Sequence, residues 1–142
     1  MMINEKLKFT GHVTVTINGS VVQEIPNLVV TAGKSYITSR MKDASAPAMS
    51  HMAVGTSTAT PSPSNTTLGT EVARGTIQSI VATDNIITYT AQFPAGTGTA
   101  ELTEAAILNS NSGGTMLCRT VFGVVSKGLS DAMTITWTIT AS

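Results

Sequence analysis

The most regular stretch of the chain is "MTITWTIT", residues 133–140, in which apolar residues alternate with threonine without interruption. A period of two marks a strand with one face turned inward. Met133, Ile135, Trp137 and Ile139 are therefore assigned to a core, and Thr134, Thr136, Thr138 and Thr140 to an outer face. The same habit appears upstream. Over residues 7–17, Leu7, Phe9, Val13, Val15 and Ile17 share one side and Thr14 and Thr16 lie on the other. Gly11 interrupts the apolar side, which predicts a bulge or a close backbone approach. Asn18-Gly19 supplies the positive φ angles of a tight hairpin turn, and a returning strand is expected from Val21 to Ile25, stopped by Pro26. Residues 76–82 and 86–93 flank "TDN" as a second hairpin, with Ile87, Tyr89, Ala91 and Phe93 facing one way and Thr88, Thr90 and Gln92 the other.

Further strands are predicted over 49–55, over 103–109 and in "TMLCRTVF". The 103–109 run contains helix-favouring Glu, Leu and Ala, but it is short and ends in the turn "NSNSGG", so a strand is preferred. Helical spacing occurs once. Thr31 is the expected N-cap of "AGKSYITSRMK", with Tyr36, Ile37, Arg40 and Met41 at helical intervals and Asp43–Pro47 as the stop. About eight strands with one short helix make an all-β fold. The expectation is an antiparallel sandwich, jelly-roll-like in preference to immunoglobulin-like. Residues 1–142 read as one domain carrying an exposed Thr/Pro/Ser loop at 56–67, within "TSTATPSPSNTTLG".

Charge changes the picture. Charged residues make up 11% of the chain, against about 25% in an ordinary domain, and eight basic residues balance eight acidic ones. Basic residues lie close in sequence only at Lys6 with Lys8 and Arg40 with Lys42, too few for a phosphate-neutralising surface. No nucleic-acid partner is expected. A surface this poor in charge repels itself weakly and associates readily. The single cysteine, Cys118, excludes an intrachain disulfide and reads as a small buried hydrophobe. No membrane partner is expected, because no apolar run approaches the roughly 18 residues of a span. "MMINEKLKF" lacks a signal-peptide pattern, so synthesis in a cytoplasm is the expectation.

Candidate chemistry is sparse. His12 and His51 have no cysteine or second histidine at ligand spacing, and each reads as a packed or surface side chain. Glu101 and Glu104 read as two solvated residues beside a loop. "GTGTAE" and "GKS" lack the glycine spacing of a phosphate loop. Six aromatic residues, several of them core-facing, leave few for stacking sugars. No catalytic, metal or cofactor residue is assigned, and the expected role is not enzymatic. What remains is a set of uncharged hydroxyl surfaces that a partner protein can cover at low desolvation cost. The interface candidates are Thr134, Thr136, Thr138 and Thr140, with Thr58, Thr60, Pro61 and Pro63 of the loop acting as a reaching arm.

Over about residues 27–142 the chain resembles a group of small structural proteins of tailed bacteriophages. The resemblance is carried by "AVGT" at 53–56, the Thr/Pro/Ser loop, "LGTEVAR" at 68–74, "TEAAILN" at 103–109, "RTVF" at 119–122 and the terminal ribbon. It implies a virion component without catalytic residues. The expected form is a capsid decoration (cement) protein, made in the host cytoplasm and placed on the capsid surface. Its partners would be the major capsid protein and itself, as a dimer or trimer, and it would bridge capsomers. A chain taken as whole at 142 residues without a repetitive shaft favours that over the alternative, a tail-fibre or collar module that binds a receptor or glycan.

Overall fold

A computed structural model describes residues 5–142. Residues 1–4, part of the N-terminal stretch read above for a signal peptide, lie outside the described residues. Among the described residues, eight strands and one helix follow in order: β1 (Phe9–Ile17), β2 (Ser20–Val29), α1 (Thr31–Lys42), β3 (His51–Gly55), β4 (Glu71–Thr83), β5 (Ile86–Phe93), β6 (Ala100–Leu108), β7 (Met116–Lys127) and β8 (Met133–Ala141). Every pairing is antiparallel.

The all-β class with one short helix is therefore observed. The architecture differs from the expected jelly-roll sandwich, because the strands close into a barrel in the order β1-β2-β7-β6-β3-β4-β5-β8. Closure comes from two long strands that serve both walls. β4 pairs with β3 through Glu71–Thr76 and with β5 through Ile77–Thr83, its register shifting between Ile77 and Ser79. Such a bulge bends a strand and sharpens its twist, letting it turn a corner. β2 pairs with β1 along most of its length and meets β7 only at Leu28↔Arg119 and Val29↔Cys118. Its run through Pro26, where a stop was expected, fits this geometry. At Pro26 no backbone ladder bond reaches β7, and Thr120 Oγ1 donates to Pro26 O at 2.8 Å instead, so proline is tolerated where its missing N–H has no ladder partner.

The alternation read from the sequence sets the interior. Val13, Val15, Tyr89, Ala91, Phe93, Met133, Ile135, Trp137 and Ile139 all belong to the main core. Asn18 and Gly19 have φ of 49° and 83°, as a tight turn of this kind requires. Gly11 is a close approach: a Cβ there would lie 1.1 Å from Asn27 Oδ1. Cys118 is buried and its thiol is pushed above its usual range, chiefly by desolvation.

Helix α1 sits against the end of the barrel where Phe9 and Ile87 stand, packing Tyr36 and Ile37 onto the core. Arg40 and Met41, expected on the same stripe, are exposed. The N-cap is Val30 rather than Thr31, without a side-chain cap; the Thr31 N–H instead donates to Pro63 O at 2.8 Å. A loop carbonyl has taken over the capping role. Gly33 lets the helix approach β7, since a Cβ there would fall 2.1 Å from Leu117 O. At the far end, buried Lys127 donates from Nζ to Pro94 O and Asp131 O.

Candidate assembly interface

The outward threonines of β8 occupy the middle of a three-strand surface. Register places Thr14 of β1, Thr136 of β8 and Thr90 of β5 in one row. Neighbouring rows are Thr16–Thr134–Gln92, His12–Thr138–Thr88 and Thr10–Thr140–Ile86. Strand spacing sets the lattice at about 4.8 Å across strands and about 6.8 Å along them. The four β8 threonines are half-buried among their neighbours. Thr88 and Thr138 hydroxyls lie 3.4 Å apart, and Thr16 Oγ1 donates to Thr134 O at 3.3 Å. Thr14, Thr90, Thr136 and Thr140 hydroxyls form no hydrogen bond among the described residues, which leaves them available to a partner. No Asp, Glu, Lys or Arg stands in these four rows. The flanking Glu24, opposite Thr14 on β2, lies 3.6 Å from His12 Nε2.

The other four interface candidates sit across the barrel. Thr58, Thr60 and Pro63 are exposed and Pro61 is half-buried, in a loop laid over the outside of β3, β6 and β7. The closed strand order puts β6 diametrically opposite β8, so the eight candidates form two separate groups. Within the loop, exposed and half-buried residues are mixed, and it is fastened rather than free to reach out. Leu68 packs with Val30, Ala53, Ala106, Leu108 and Met116 in a second apolar cluster beneath it.

The fastening point is Glu104. Expected to be solvated, it is fully buried, and its carboxylate accepts the backbone N–H groups of Ser57 (3.0 Å), Gly69 (2.9 Å) and Thr70 (2.8 Å). Arg119, also buried, donates to Glu104 Oε1 from Nε at 3.2 Å and from Nη2 at 3.0 Å, and to loop residue Asn65 from Nη1 at 3.1 Å. Thr103 Oγ1 donates to Ser57 O at 2.8 Å. A bulge between Leu102 and Glu104 re-aims the strand there. The surprise has a physical basis: a carboxylate surrounded by five N–H donors loses little by leaving water. Segments 68–74, 103–109 and 119–122 meet here, through Gly69, Thr70, Glu104 and Arg119. Nothing in the spacing of single residues announced this anchor, because its donors are mostly backbone.

Burial opposes ionisation of Glu104, but the backbone N–H groups of Thr70, Gly69 and Ser57, together with Arg119, outweigh it and hold the carboxyl below its ordinary range. A depressed native pKa stabilises the fold above the unfolded value, about 4.3 for Glu, and that stabilisation is lost as pH falls through the native value. Denaturant midpoints are therefore expected to drop steeply below about pH 4. Glu104→Gln should flatten part of that acid limb. Asp131 and Asp43, held low by Gly128 N–H and by Ser45 respectively, leave the remainder in place. An unchanged acid limb in Glu104→Gln would contradict the assignment.

One pairing bears on chemistry. Ser50 Oγ lies 2.7 Å from His51 Nδ1. His51 forms no ion pair with a carboxylate among the described residues, so no group is seen to orient the imidazole. Groups of three or more His, Cys, Asp or Glu able to hold a metal are absent among the described residues, and no helix of the described residues is long and apolar enough to cross a membrane. No known family matches this chain, and no curated protein or solved structure is significantly similar to it.

Proposed function

We propose that this protein is a structural subunit of a multi-copy assembly and docks through the threonine rows of β1, β8 and β5. The observation that carries the reading is the absence of Asp, Glu, Lys and Arg from four successive rows across three strands. Solvated strand faces ordinarily use charge to stay single. Here the hydroxyls need little solvation and can be covered by another surface.

Magnitude shapes the mechanism. The face measures about 20 Å along the strands and about 15 Å across them, roughly 300 Å². A standard interface needs about 800 Å² per partner. One copy therefore binds weakly, and firm attachment comes from many copies held on a repeating lattice. The sequence resemblance supports a tailed-phage capsid as the lattice in this proposal: the chain decorates the outer shell, touches the major capsid protein and its own neighbours, and bridges capsomers. Its action is passive, since parting two capsomers would expose all the covered patches together.

The test combines purified particles with the chain and with Thr136→Arg, which places a charge at the centre of the rows. Decoration is expected at hundreds of copies per head, with the variant recovered at least about tenfold less at an unchanged melting temperature. Equal recovery of the variant would reject the face. A copy number of a few dozen, confined to tails, would favour the tail-fibre or collar role.

A further inference from the structure

We infer that a second copy of this chain pairs edge to edge on Gln78–Thr83 of β4, extending the threonine-bearing sheet across a two-fold dimer. β3 begins at His51, opposite Thr76, and the last backbone bond on that side is Ile77 N–H to Ser50 O at 2.8 Å. Beyond it, Ser79–Thr83 remain paired with β5 on one side and form no backbone hydrogen bond on the other among the described residues. Six residues of strand, about 20 Å, thus present an open row of donors and acceptors.

Open edges are normally guarded by charge, proline, bulges or brevity. The other open edge near the β2–β7 seam has such guards: Glu24 and Pro26 stand on β2, and Gln23 Nε2 bridges the opening to Gly123 O at 3.2 Å. Within the strand, the β4 edge has none beyond its bulge; beside it, Arg40 of α1 and Ala48 and Met49 line a hollow against Ile80 without bonding the backbone of 78–83. "QSIVAT" contains no charge and no proline, and its register is regular from Ser79 to Thr83. It also leaves apolar side chains in water, with Ile80 48% and Val81 55% exposed and Ile86 beside them 41% exposed.

The occupant follows from self-complementarity. A two-fold axis through the middle of this segment sets each strand antiparallel to its twin, which is the pairing this barrel uses throughout. Asp84, the nearest charge along the strand at the turn end, then falls at opposite ends of the joint, so the two carboxylates stay apart. A neutral edge carries no pattern to select a foreign strand, whereas its own copy supplies the same length and the same bare Ile80 and Val81. The edge does not depend on what the threonine face docks against. A dimer formed this way sets two threonine faces side by side in one sheet and doubles the area available to a lattice.

Sedimentation equilibrium of the purified chain across a concentration series, with amide exchange read at the same concentrations, tests the pairing. The expected result is a reversible dimer whose formation protects amides within 78–83. Val81→Lys should weaken dimerisation at least about tenfold, since like charges then face the joint, while the melting temperature holds. Should Val81→Lys unfold the chain, Thr83→Lys at the exposed end of the same edge is the second variant. A monomer at every concentration would overturn the inference. So would a dimer that persists in the lysine variants with 78–83 still exchanging freely.

Discussion

Replacing Glu104 with alanine is expected to lower the unfolding free energy by about 3–5 kcal/mol, a large part of the total for a domain of this size. The loss has two components. Arg119, 2% exposed, is left as a buried cation with Asn65 as its remaining polar contact, and the Ser57, Gly69 and Thr70 N–H groups lose their acceptor. Removing Arg119 alone should cost a similar amount for the mirror reason. The informative variant is the double replacement Glu104→Leu with Arg119→Met. Exchanging a buried ion pair for apolar groups is often neutral, but here the three backbone donors remain orphaned. The double variant should therefore stay well below the parent while falling less than the sum of the singles. Urea denaturation of the parent, Glu104→Leu, Arg119→Met and the double variant measures the comparison. A double variant as stable as the parent would mean that the carboxylate does not hold the loop.

Proteolysis adds an independent readout. The parent loop should resist cleavage between Thr58 and Thr67, because Pro63 O, Asn65 and Leu68 each bind it to the barrel or helix. In Glu104→Ala it should be nicked early, since local opening sets the rate.

The second large effect is expected at Trp137. It is fully buried at the centre of the core face of β8, between Val13 of β1 and Tyr89 of β5. Trp137→Ala should cost about 3–5 kcal/mol through lost burial and an unfilled cavity. Trp137→Phe should cost under about 2 kcal/mol, less than its lost volume suggests. The indole Nε1 is buried without a hydrogen-bond partner among the described residues, so phenylalanine removes an unsatisfied donor as well as some contacts. A penalty for phenylalanine near that for alanine would show that the indole N–H is satisfied in solution. Thermal melts of both variants provide the comparison.

These two sites show how differently the structure could be read in advance. Trp137 was legible because strand periodicity is local: a one-residue slip would turn every apolar side chain of β8 outward, so alternation alone determines which face is buried. Asn18-Gly19 was legible for the same reason, since positive φ is a property of the residues themselves. Glu104 was not. Its neighbours in sequence suggest a solvated surface, and only the return of the 56–70 loop over β6 brings three distant N–H groups and Arg119 to it. Helix α1 shows a similar limit, its start shifted by one residue because Pro63 supplies the capping carbonyl.

What the sequence determined by itself was strand content, the short helix, the inward and outward assignment of β1, β5 and β8, and the scarcity of charge. Each follows from short-range periodicity or composition. The tertiary structure alone decided the closed barrel, the placement of the two candidate groups on opposite sides, the fastening of the loop and the open edge of β4. All four depend on which distant segments meet, and the pattern along one strand carries no information about its partner.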